Sequence, residues 1–444
     1  MKFDVNELIA HDGDICPSCG KRHFGKLSDL IIGNGAVGAL PDLLRKYGVK
    51  KPYVLCDCNT YRAAGETVCE ILSSVPMEYV LHIIDRDHPA PDELLVGEAM
   101  MYCDNSCDGV IAVGGGVIND TGKVIASAKN VPDIIVGTAP SMDGFASATS
   151  SMERGGLKIS LNTKCPDAVI GDTDILAKAP PHMIRSGIGD MLAKYVSLVE
   201  WQIANIILDE YYCPRIAEMV KEALDTCVSR AKAAVCGDQT AISAVMEGLV
   251  VSGLAMNYAG VSRPASGMEH YISHIIDMRA LEFGTPWDLH GIQCGIATLE
   301  TVRAYEKLLE VTPDMYTALK YAREFDLSEW NEHLRKKLGK GAELIIAGDA
   351  REKKYDLAKH EVRIRRIVER WDEIKEIIRT LPSSPWLEEF MRDIGHPTSF
   401  SELGLTENDA ADAFIMAKDI RDKYVLPRLL WDLGILDEYA KKVK

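Results

Sequence analysis

The sequence predicts an α/β domain over residues 1–180 and an all-helical domain over residues 181–444. Short apolar runs alternate with helical patterns in the first part of the chain, which is typical of βαβ units and a parallel sheet. A glycine-rich turn at Gly114–Gly116 joins one of these runs to a helix. After Pro180 and Pro181 the pattern is helical almost to the end of the chain.

Composition excludes several functional classes. The chain has 444 residues, enough for two or three domains, and a formal net charge of −16. That charge argues against a nucleic-acid surface and against binding to anionic membranes. The first residues carry no apolar signal-peptide segment, and no apolar run reaches transmembrane length. With 12 cysteines that show no regular framework, we expect a reduced, cytoplasmic, enzyme-like protein with no membrane span.

A short N-terminal extension, residues 1–26, precedes the first predicted strand. It contains Cys16 and Cys19, spaced as Cys-x-x-Cys, with His11 and His23 nearby. Such a pair can open a zinc site, and the two histidines could complete four ligands. A reduced thiol pair without metal explains the same residues, so the role of the pair stays open.

The first predicted strand ends at Gly33–Gly38, which matches the Gly-x-Gly-x-x-Gly pattern of dinucleotide sites. Asp57 ends the second predicted strand, 19 residues after Gly38, where a carboxylate could bind a ribose 2′-hydroxyl and favour NAD over NADP. A plain turn before the first helix explains the glycines equally well. A helix N-cap is the alternative for Asp57.

The strongest single motif begins with the apolar run Val110–Val113, which predicts a buried parallel strand. Gly114, Gly115 and Gly116 follow, and then a helical pattern begins. Glycines let the backbone approach a pyrophosphate, and the N–H groups at the helix start face the anion. A tight turn without ligand is the alternative.

The next strand is followed by a loop that carries Thr138, Ser141, Asp143 and Ser147. Loops after parallel strands carry function more often than chance, although turn chemistry alone could explain these residues.

The helical half contains a second group of candidate residues. Asp190 lies in an apolar, glycine-containing helix start, where its carboxylate needs a partner. His270 and His274 are four residues apart on one helix face, and His290 follows. Three histidines and one aspartate fit a catalytic metal site. A helix N-cap for Asp190 and satisfied core histidines are the alternatives.

Together these motifs resemble the iron-containing alcohol dehydrogenase and dehydroquinate synthase superfamily, and within it most closely the bacterial-type sn-glycerol-1-phosphate dehydrogenases. The residues that carry the resemblance are Gly114–Asp120, Thr138–Ser147, Gly187–Asp190, Ser262–His270 with His274, and His290–Gly291. The resemblance implies a dehydroquinate synthase-like fold, with a Rossmann-like nucleotide domain, a helical domain and the active site in the cleft between them.

The resemblance also implies residue roles. The implied NAD(H) or NADP(H) contacts are Asp57, Gly114, Gly115, Gly116, Val117, Ile118, Asn119, Asp120, Thr138, Ser141 and Ser147. The implied ligands of one divalent metal (zinc, nickel or iron) are Asp190, His270 and His290, and the implied catalytic and substrate contacts are Asp143, Asp190 and His274. The Gly33–Gly38 pattern then becomes a decoy, because the pyrophosphate of the family lies on the triple glycine.

The activity implied by the resemblance is metal-dependent reduction of dihydroxyacetone phosphate by NAD(P)H to sn-glycerol 1-phosphate. From charge alone, Arg154, Lys158 and Arg263 are candidates for the substrate phosphate. A glycerol dehydrogenase acting on the unphosphorylated polyol, a dehydroquinate synthase-like cyclase and a non-catalytic nucleotide-binding regulator are the alternatives. We expect a small-molecule substrate and a homo-oligomer such as a dimer.

Overall fold

The computed structural model describes residues 5–86, 89–155 and 157–441; residues 1–4, on which part of the signal-peptide prediction rests, lie outside them. The chain forms two compact units. Unit 1 comprises Met1–Met191 and Pro214–Ser262, and unit 2 comprises Leu192–Cys213 and Arg263–Lys444. The bounds of these compact units differ from the predicted domain boundary after residue 180. That boundary between a cofactor domain and a metal and substrate domain stays a prediction.

Unit 1 is built on a parallel sheet, as predicted, and the sheet has six strands. The strands of the chain are β1 (Asp29–Gly33), β2 (Pro52–Asp57), β3 (Val80–Ile84), β4 (Gly109–Gly114), β5 (Asp133–Gly137), β6 (Thr149–Arg154), β7 (Leu157–Asn162) and β8 (Ala168–Asp172). The sheet has the order β1-β8-β5-β4-β2-β3, while β6 and β7 form a separate antiparallel hairpin. The hairpin was not predicted, because its strands are partly exposed and rich in polar residues.

Helices flank the sheet of unit 1. They are α1 (Val5–Ala10), α2 (Leu40–Tyr47), α3 (Cys58–Thr60), α4 (Glu66–Ser73), α5 (Glu93–Tyr102), α6 (Gly116–Lys129), α7 (Thr173–Leu176), the first part of α8 (Pro181–Leu208), α9 (Pro214–Val235) and α10 (Gln239–Ala259). A 3₁₀ turn spans Ala36–Ala39, and a π turn at Tyr61–Gly65 joins α3 to α4.

Unit 2 is helical throughout its described residues, as predicted for the second half of the chain. Besides the end of α8 it contains α11 (Met268–Phe283), α12 (His290–Leu308), α13 (Met315–Glu324), α14 (Leu327–Leu338), α15 (Gly341–Glu352), α16 (Leu357–Glu369), α17 (Trp371–Ile378), α18 (Ser384–Asp393), α19 (Glu407–Met416), α20 (Leu426–Leu433) and α21 (Leu436–Ala440). A 3₁₀ turn lies at Phe400–Leu403.

The strand order creates one crevice at the carboxyl edge of the sheet. In the sheet β2 and β4 are neighbours. From β2 the chain continues to β3 on one side of this pair, whereas from β4 it continues to β5 on the opposite side. Ligands of open α/β sheets bind at such a reversal, outside the carboxyl ends of the strands. Gly114 at the end of β4 lies opposite Gly137 at the end of β5. The glycine turn and the loop after β5 therefore begin side by side at this edge.

One helix, α10, corrects the expectation that no apolar segment is long enough to span a membrane. Its 21 residues pass that test by length and composition. However, 67% of its apolar window is buried inside the protein, where it packs against α9. Burial of this kind is typical of the core helix of a globular protein, since a spanning helix would present its apolar side chains to lipid.

Candidate active site

The glycine turn forms an open cradle at the start of α6. A Cβ on Gly114 would lie 2.6 Å from the side chain of Ile118, so only glycine fits there. At Gly115 and Gly116 a Cβ would meet nothing closer than 3.6 Å. Gly115 is the N-cap and provides no side chain to the N–H groups of the first turn. These free N–H groups and the open space fit the pyrophosphate of a dinucleotide.

Other predicted cofactor residues hold the loop after β5 onto α6. Asp120 forms a 2.8 Å ion pair with the fully buried Lys123 and accepts from the backbone N–H of Ser151. Lys123 donates to the carbonyls of Gly144 and Thr149, and also to the hydroxyl of Ser147. The polar atoms of Asp120 and Ser147 are therefore engaged within the protein. The cofactor contacts expected of these two residues stay predictions.

Asn119, Thr138 and Ser141 are also buried near the cradle. The backbone N–H of Thr138 donates to the carbonyl of Gly114 at 3.3 Å, which connects the two strand ends. The hydroxyl of Ser141 lies 3.7 Å from the position that a Cβ on Gly115 would take, so it borders the open space. The amide group of Asn119 has no hydrogen-bond partner within the described part of the chain.

The Gly33–Gly38 pattern cannot act as a second cradle. The buried carboxylate of Asp172 accepts a 3.1 Å hydrogen bond from the backbone N–H of Val37, so a protein anion already occupies this turn. Asp57 is the N-cap of α3 and accepts from the N–H groups of Asn59 and Thr60. The capping alternative for Asp57 is thus correct, and its predicted contact with the adenosine ribose stays a prediction.

Unit 1 brings two of the predicted catalytic carboxylates together. The backbone N–H of Asp143 donates a 2.9 Å hydrogen bond to Oδ2 of Asp190, which is fully buried. Asp190 lies inside α8 and is not an N-cap. The hydroxyl of Ser252 on α10 donates to Oδ2 of Asp143 at 2.8 Å. Both carboxylates are thus oriented by fixed donors.

Two glycines allow this close packing. A Cβ on Gly187 of α8 would lie 1.9 Å from the carbonyl oxygen of Pro140, and a Cβ on Gly253 of α10 would lie 2.9 Å from the carbonyl oxygen of Asp143. Each would collide with backbone, which cannot move aside like a flexible side chain. The segment Gly187–Asp190 therefore provides both the glycine that lets α8 approach the loop and the carboxylate of Asp190.

Unit 2 brings the three predicted histidines together. The rings of His270 and His290 are 4.9 Å apart, and the ring of His274 stacks on that of His290 at 5.5 Å. Nδ1 of His270 lies 3.0 Å from Oε1 of Glu269, and Nδ1 of His290 lies 2.7 Å from the hydroxyl of Ser273. Partners on Nδ1 orient both rings, as they do in metal-ligating histidines.

Cys294 is not among the residues predicted from the sequence, although it lies four residues after His290 on the same helix. Its sulfur is 3.5 Å from Nε2 of His290, and one donor atom from each of His270, His290 and Cys294 lies within 4.8 Å of the others. Burial raises the pKa of the Cys294 thiol, but the neighbouring His270 and His290 outweigh burial and lower it overall. The i, i+4 spacing could have identified this residue.

A buried carboxyl pair, Glu200 and Glu269, lies next to His270 and was also not predicted from the sequence. A Cβ on Gly267 would lie within 3.0 Å of oxygens of both Glu200 and Glu269. Burial, reinforced by the Glu269 carboxylate, raises the pKa of Glu200 to about 8. Only the position of Glu269 next to His270 gave a signal in the sequence, because Glu200 is distant along the chain.

Two of the three candidate phosphate residues, Arg263 and Lys158, pair with acidic side chains of the protein. Arg263 is 2% exposed and forms a bidentate pair with Glu210, at 2.6 and 2.5 Å, while it also donates to the carbonyl of Tyr424. Lys158 lies 3.8 Å from Glu153 across the β6–β7 hairpin, and Arg154 ends β6. The expectation for Arg263 is wrong, because its guanidinium is committed to a buried ion pair.

Comparison with known proteins identifies the family. The sequence profile of the family described as "Iron-containing alcohol dehydrogenase" matches residues 31–180. The glycerol-1-phosphate dehydrogenase [NAD(P)+] of Halalkalibacterium halodurans is 30% identical over 429 residues, which cover 95% of this chain and 96% of that protein. The chain belongs to the glycerol-1-phosphate dehydrogenase family. The corresponding enzyme of Bacillus licheniformis is 31% identical, with 97% of this chain and 96% of that protein covered.

A solved structure supports the fold of this family member. The glycerol dehydrogenase of Schizosaccharomyces pombe aligns with a TM-score of 0.60 at 18% identity, covering 94% of this chain and 90% of that chain. At this identity the likeness establishes the fold alone. The predicted Rossmann-like α/β part, followed by a mostly helical part in a dehydroquinate synthase-like fold, is confirmed.

Proposed function

We propose that this protein is an NAD(P)-dependent glycerol-1-phosphate dehydrogenase, which reduces dihydroxyacetone phosphate to sn-glycerol 1-phosphate reversibly. The observation that carries the proposal is the match to proteins of that name over 95% of the chain. The family-model match over residues 31–180 includes the glycine cradle and Asp143. The name of these relatives implies a small-molecule substrate.

In this proposal Asp190, His270 and His290 hold one divalent metal. Two imidazoles and a carboxylate suit zinc, nickel or iron. Glu269 and Ser273 support the assignment, since each engages Nδ1 of one histidine, as the partners of ligating histidines do. When bound, such a metal supplies Lewis-acid polarisation of the substrate carbonyl.

The remaining residues of the chain bind and position the reactants. The uncapped N–H groups at the start of α6 bind the pyrophosphate of NAD(H) or NADP(H), whose nicotinamide supplies the hydride. Asp143 is oriented by Ser252, and His274 is oriented by stacking on His290. We assign these two side chains to substrate binding and to delivery of the proton to the carbonyl oxygen.

The proposal extends to location and assembly. All 12 cysteines lie in the described residues and none forms a disulfide, which supports the cytoplasm as the location. A homo-oligomer such as a dimer is proposed as the assembly, because most soluble oligomers are symmetric dimers of one chain.

Product identification tests the proposal. Purified protein supplied with a divalent metal, NADH and dihydroxyacetone phosphate should form glycerol 1-phosphate, with chiral analysis yielding the sn-1 isomer. Formation of the sn-3 isomer would contradict the assigned product. A phosphate-releasing reaction without net oxidation of NADH would instead support the cyclase alternative.

A further inference from the structure

The N-terminal extension contains a tight turn that none of the proposed catalytic chemistry uses. The N–H of Gly20 donates to the carbonyl of Cys16, and the N–H of Cys16 donates to the carbonyl of Lys21, both at 2.8 Å. Ile15 pairs with Arg22 as an antiparallel bridge across the turn. Gly20 has φ +71°, a left-handed conformation that glycine adopts without cost. The turn therefore holds Cys16 and Cys19 on one small loop.

His23 presents a defined nitrogen to this loop. Its Nδ1 lies 2.7 Å from the carbonyl oxygen of Tyr258, near the end of α10. Because a carbonyl only accepts, Nδ1 carries the proton and Nε2 carries the lone pair. Nε2 lies 3.2 Å from the sulfur of Cys19. A backbone carbonyl on the far nitrogen is the arrangement that orients metal-binding histidines.

The three donor atoms are spaced for one tetrahedral ion. One atom from each of Cys16, Cys19 and His23 lies within 4.8 Å of the others. Zinc bonds of about 2.3 Å to sulfur and about 2.0 Å to nitrogen, at a tetrahedral angle, place a sulfur and a nitrogen about 3.5 Å apart. The observed separation of 3.2 Å between the sulfur of Cys19 and Nε2 of His23 is close to this value. Sulfur and imidazole donors favour zinc over magnesium or calcium.

We propose that Cys16, Cys19 and His23 bind a structural zinc ion, separate from the divalent metal of the proposed reaction. Two thiolates and a neutral imidazole balance the charge of Zn²⁺. The extension has little apolar core of its own, since Val5 and Cys16 are its buried apolar side chains among the described residues. Short segments of this kind often rely on metals or disulfides for stability, and a zinc ion would provide such a cross-link.

The zinc would fasten the extension to the end of α10. The side chain of Asn257 donates to the carbonyl of Gly25 at 2.7 Å and to the carbonyl of Ala146 at 2.8 Å. It also accepts from the N–H of Ala148 at 2.9 Å. The same helix end therefore supports the extension and the loop that carries Asp143. Loss of the zinc should lower thermal stability before it changes the chemistry.

Metal analysis of the purified protein tests the proposal. The double variant Cys16→Ser/Cys19→Ser should contain one zinc fewer per chain than the wild type. Cys236→Ser removes an exposed cysteine and should leave the zinc content unchanged. The variant Asp190→Asn should keep this zinc even if it loses the proposed catalytic metal, so failure of one site is distinguishable from failure of the other. Equal zinc in the double variant and the wild type would overturn the proposal.

Thiol protection in the wild type gives a second test that needs no variant. Cys16 and Cys19 should resist alkylation until a chelator removes the zinc, while Cys236 reacts at once. Peptide mass spectrometry reads each cysteine separately, and the melting temperature should fall on chelation. Alkylation of Cys16 and Cys19 that does not depend on the chelator, or a disulfide between them in freshly purified protein, would overturn the proposal. X-ray absorption at the zinc edge should show at least two sulfurs and one imidazole nitrogen around the ion. The total number of donors in the spectrum also shows whether a further ligand is bound.

Discussion

The backbone N–H of Asp143 donates a 2.9 Å hydrogen bond to the carboxylate of Asp190, although 47 residues separate the two along the chain. A carboxylate that is fully buried needs such a partner. The bond also fixes the backbone of Asp143 within the loop after β5. Gly187, three residues before Asp190, makes the bond possible because it lets α8 approach that loop.

Substitution of Gly187 by alanine should damage unit 1 and the proposed metal site together. The new Cβ would lie 1.9 Å from the carbonyl oxygen of Pro140, so α8 and the loop must separate. We expect a loss of about 1–3 kcal/mol in the free energy of unfolding and weaker metal binding. Urea unfolding and metal titration measure the two effects.

The matched control is Gly97→Ala, in the interior of α5. A Cβ there would meet nothing within 4 Å. This variant should gain roughly 0.5–1 kcal/mol, because alanine favours the helix. Equal stability of the Gly187 and Gly97 variants would contradict the packing role of Gly187.

Removal of the hydroxyl at Ser273 should weaken metal binding without removing a proposed ligand. Ser273→Ala deletes the partner of Nδ1 of His290, so the ring loses its orientation. We expect metal affinity to fall about 10- to 100-fold. Thr301→Val removes another buried hydroxyl, which donates a 2.7 Å hydrogen bond to the carbonyl of Ala297 within α12. Calorimetric titration should show near wild-type affinity for Thr301→Val, and an equal loss in both variants would refute the orienting role.

A side chain at Gly115 should impair cofactor binding specifically. The Cβ of Gly115→Ala has room in the protein, since its nearest neighbours are 3.7 Å away. It would project into the space assigned to the pyrophosphate. We expect the KM for NADH to rise roughly tenfold, about 1.4 kcal/mol, with an unchanged melting temperature. If the KM stays the same, the cofactor does not use this cradle.

Asp133 should make the stability of the protein depend on pH. Burial raises the pKa of its carboxyl to about 7, and neither oxygen has a hydrogen-bond partner within the described residues. The folded state therefore binds a proton that the unfolded state releases between about pH 4 and pH 7, and stability falls as the pH rises through this window. Asp133→Asn removes this dependence. The free energy of unfolding of this variant, relative to that of the wild type, should grow by about 1.4 kcal/mol per pH unit between about pH 4 and pH 7. Above about pH 7 the difference should stay constant. A difference that does not vary from pH 5 to pH 7 would refute this assignment.

Much of the fold and the candidate site followed from local patterns in the sequence. The apolar run before Gly114 and the i, i+4 spacing of His270 and His274 are local signals, and both lie where the patterns place them. The commitment of Arg263 to Glu210 could not be predicted, because the two residues meet only through tertiary packing across 53 positions. The β6–β7 hairpin escaped prediction for a different reason, since its polar strands lack a clear apolar alternation. The partner of Val37 is likewise 135 residues away, so only the structure explains why the Gly33–Gly38 pattern is a decoy.

The most direct test of the central claim compares two ketones in metal-reconstituted protein. NADH oxidation is followed with dihydroxyacetone phosphate and with dihydroxyacetone under identical conditions. Each hydrogen bond to a charged group contributes about 1.5–3 kcal/mol, so a site that recognises the phosphate should favour the phosphorylated ketone by about 100-fold or more in kcat/KM. Equal rates, or a preference for plain dihydroxyacetone, would contradict the account and would make the protein a glycerol dehydrogenase.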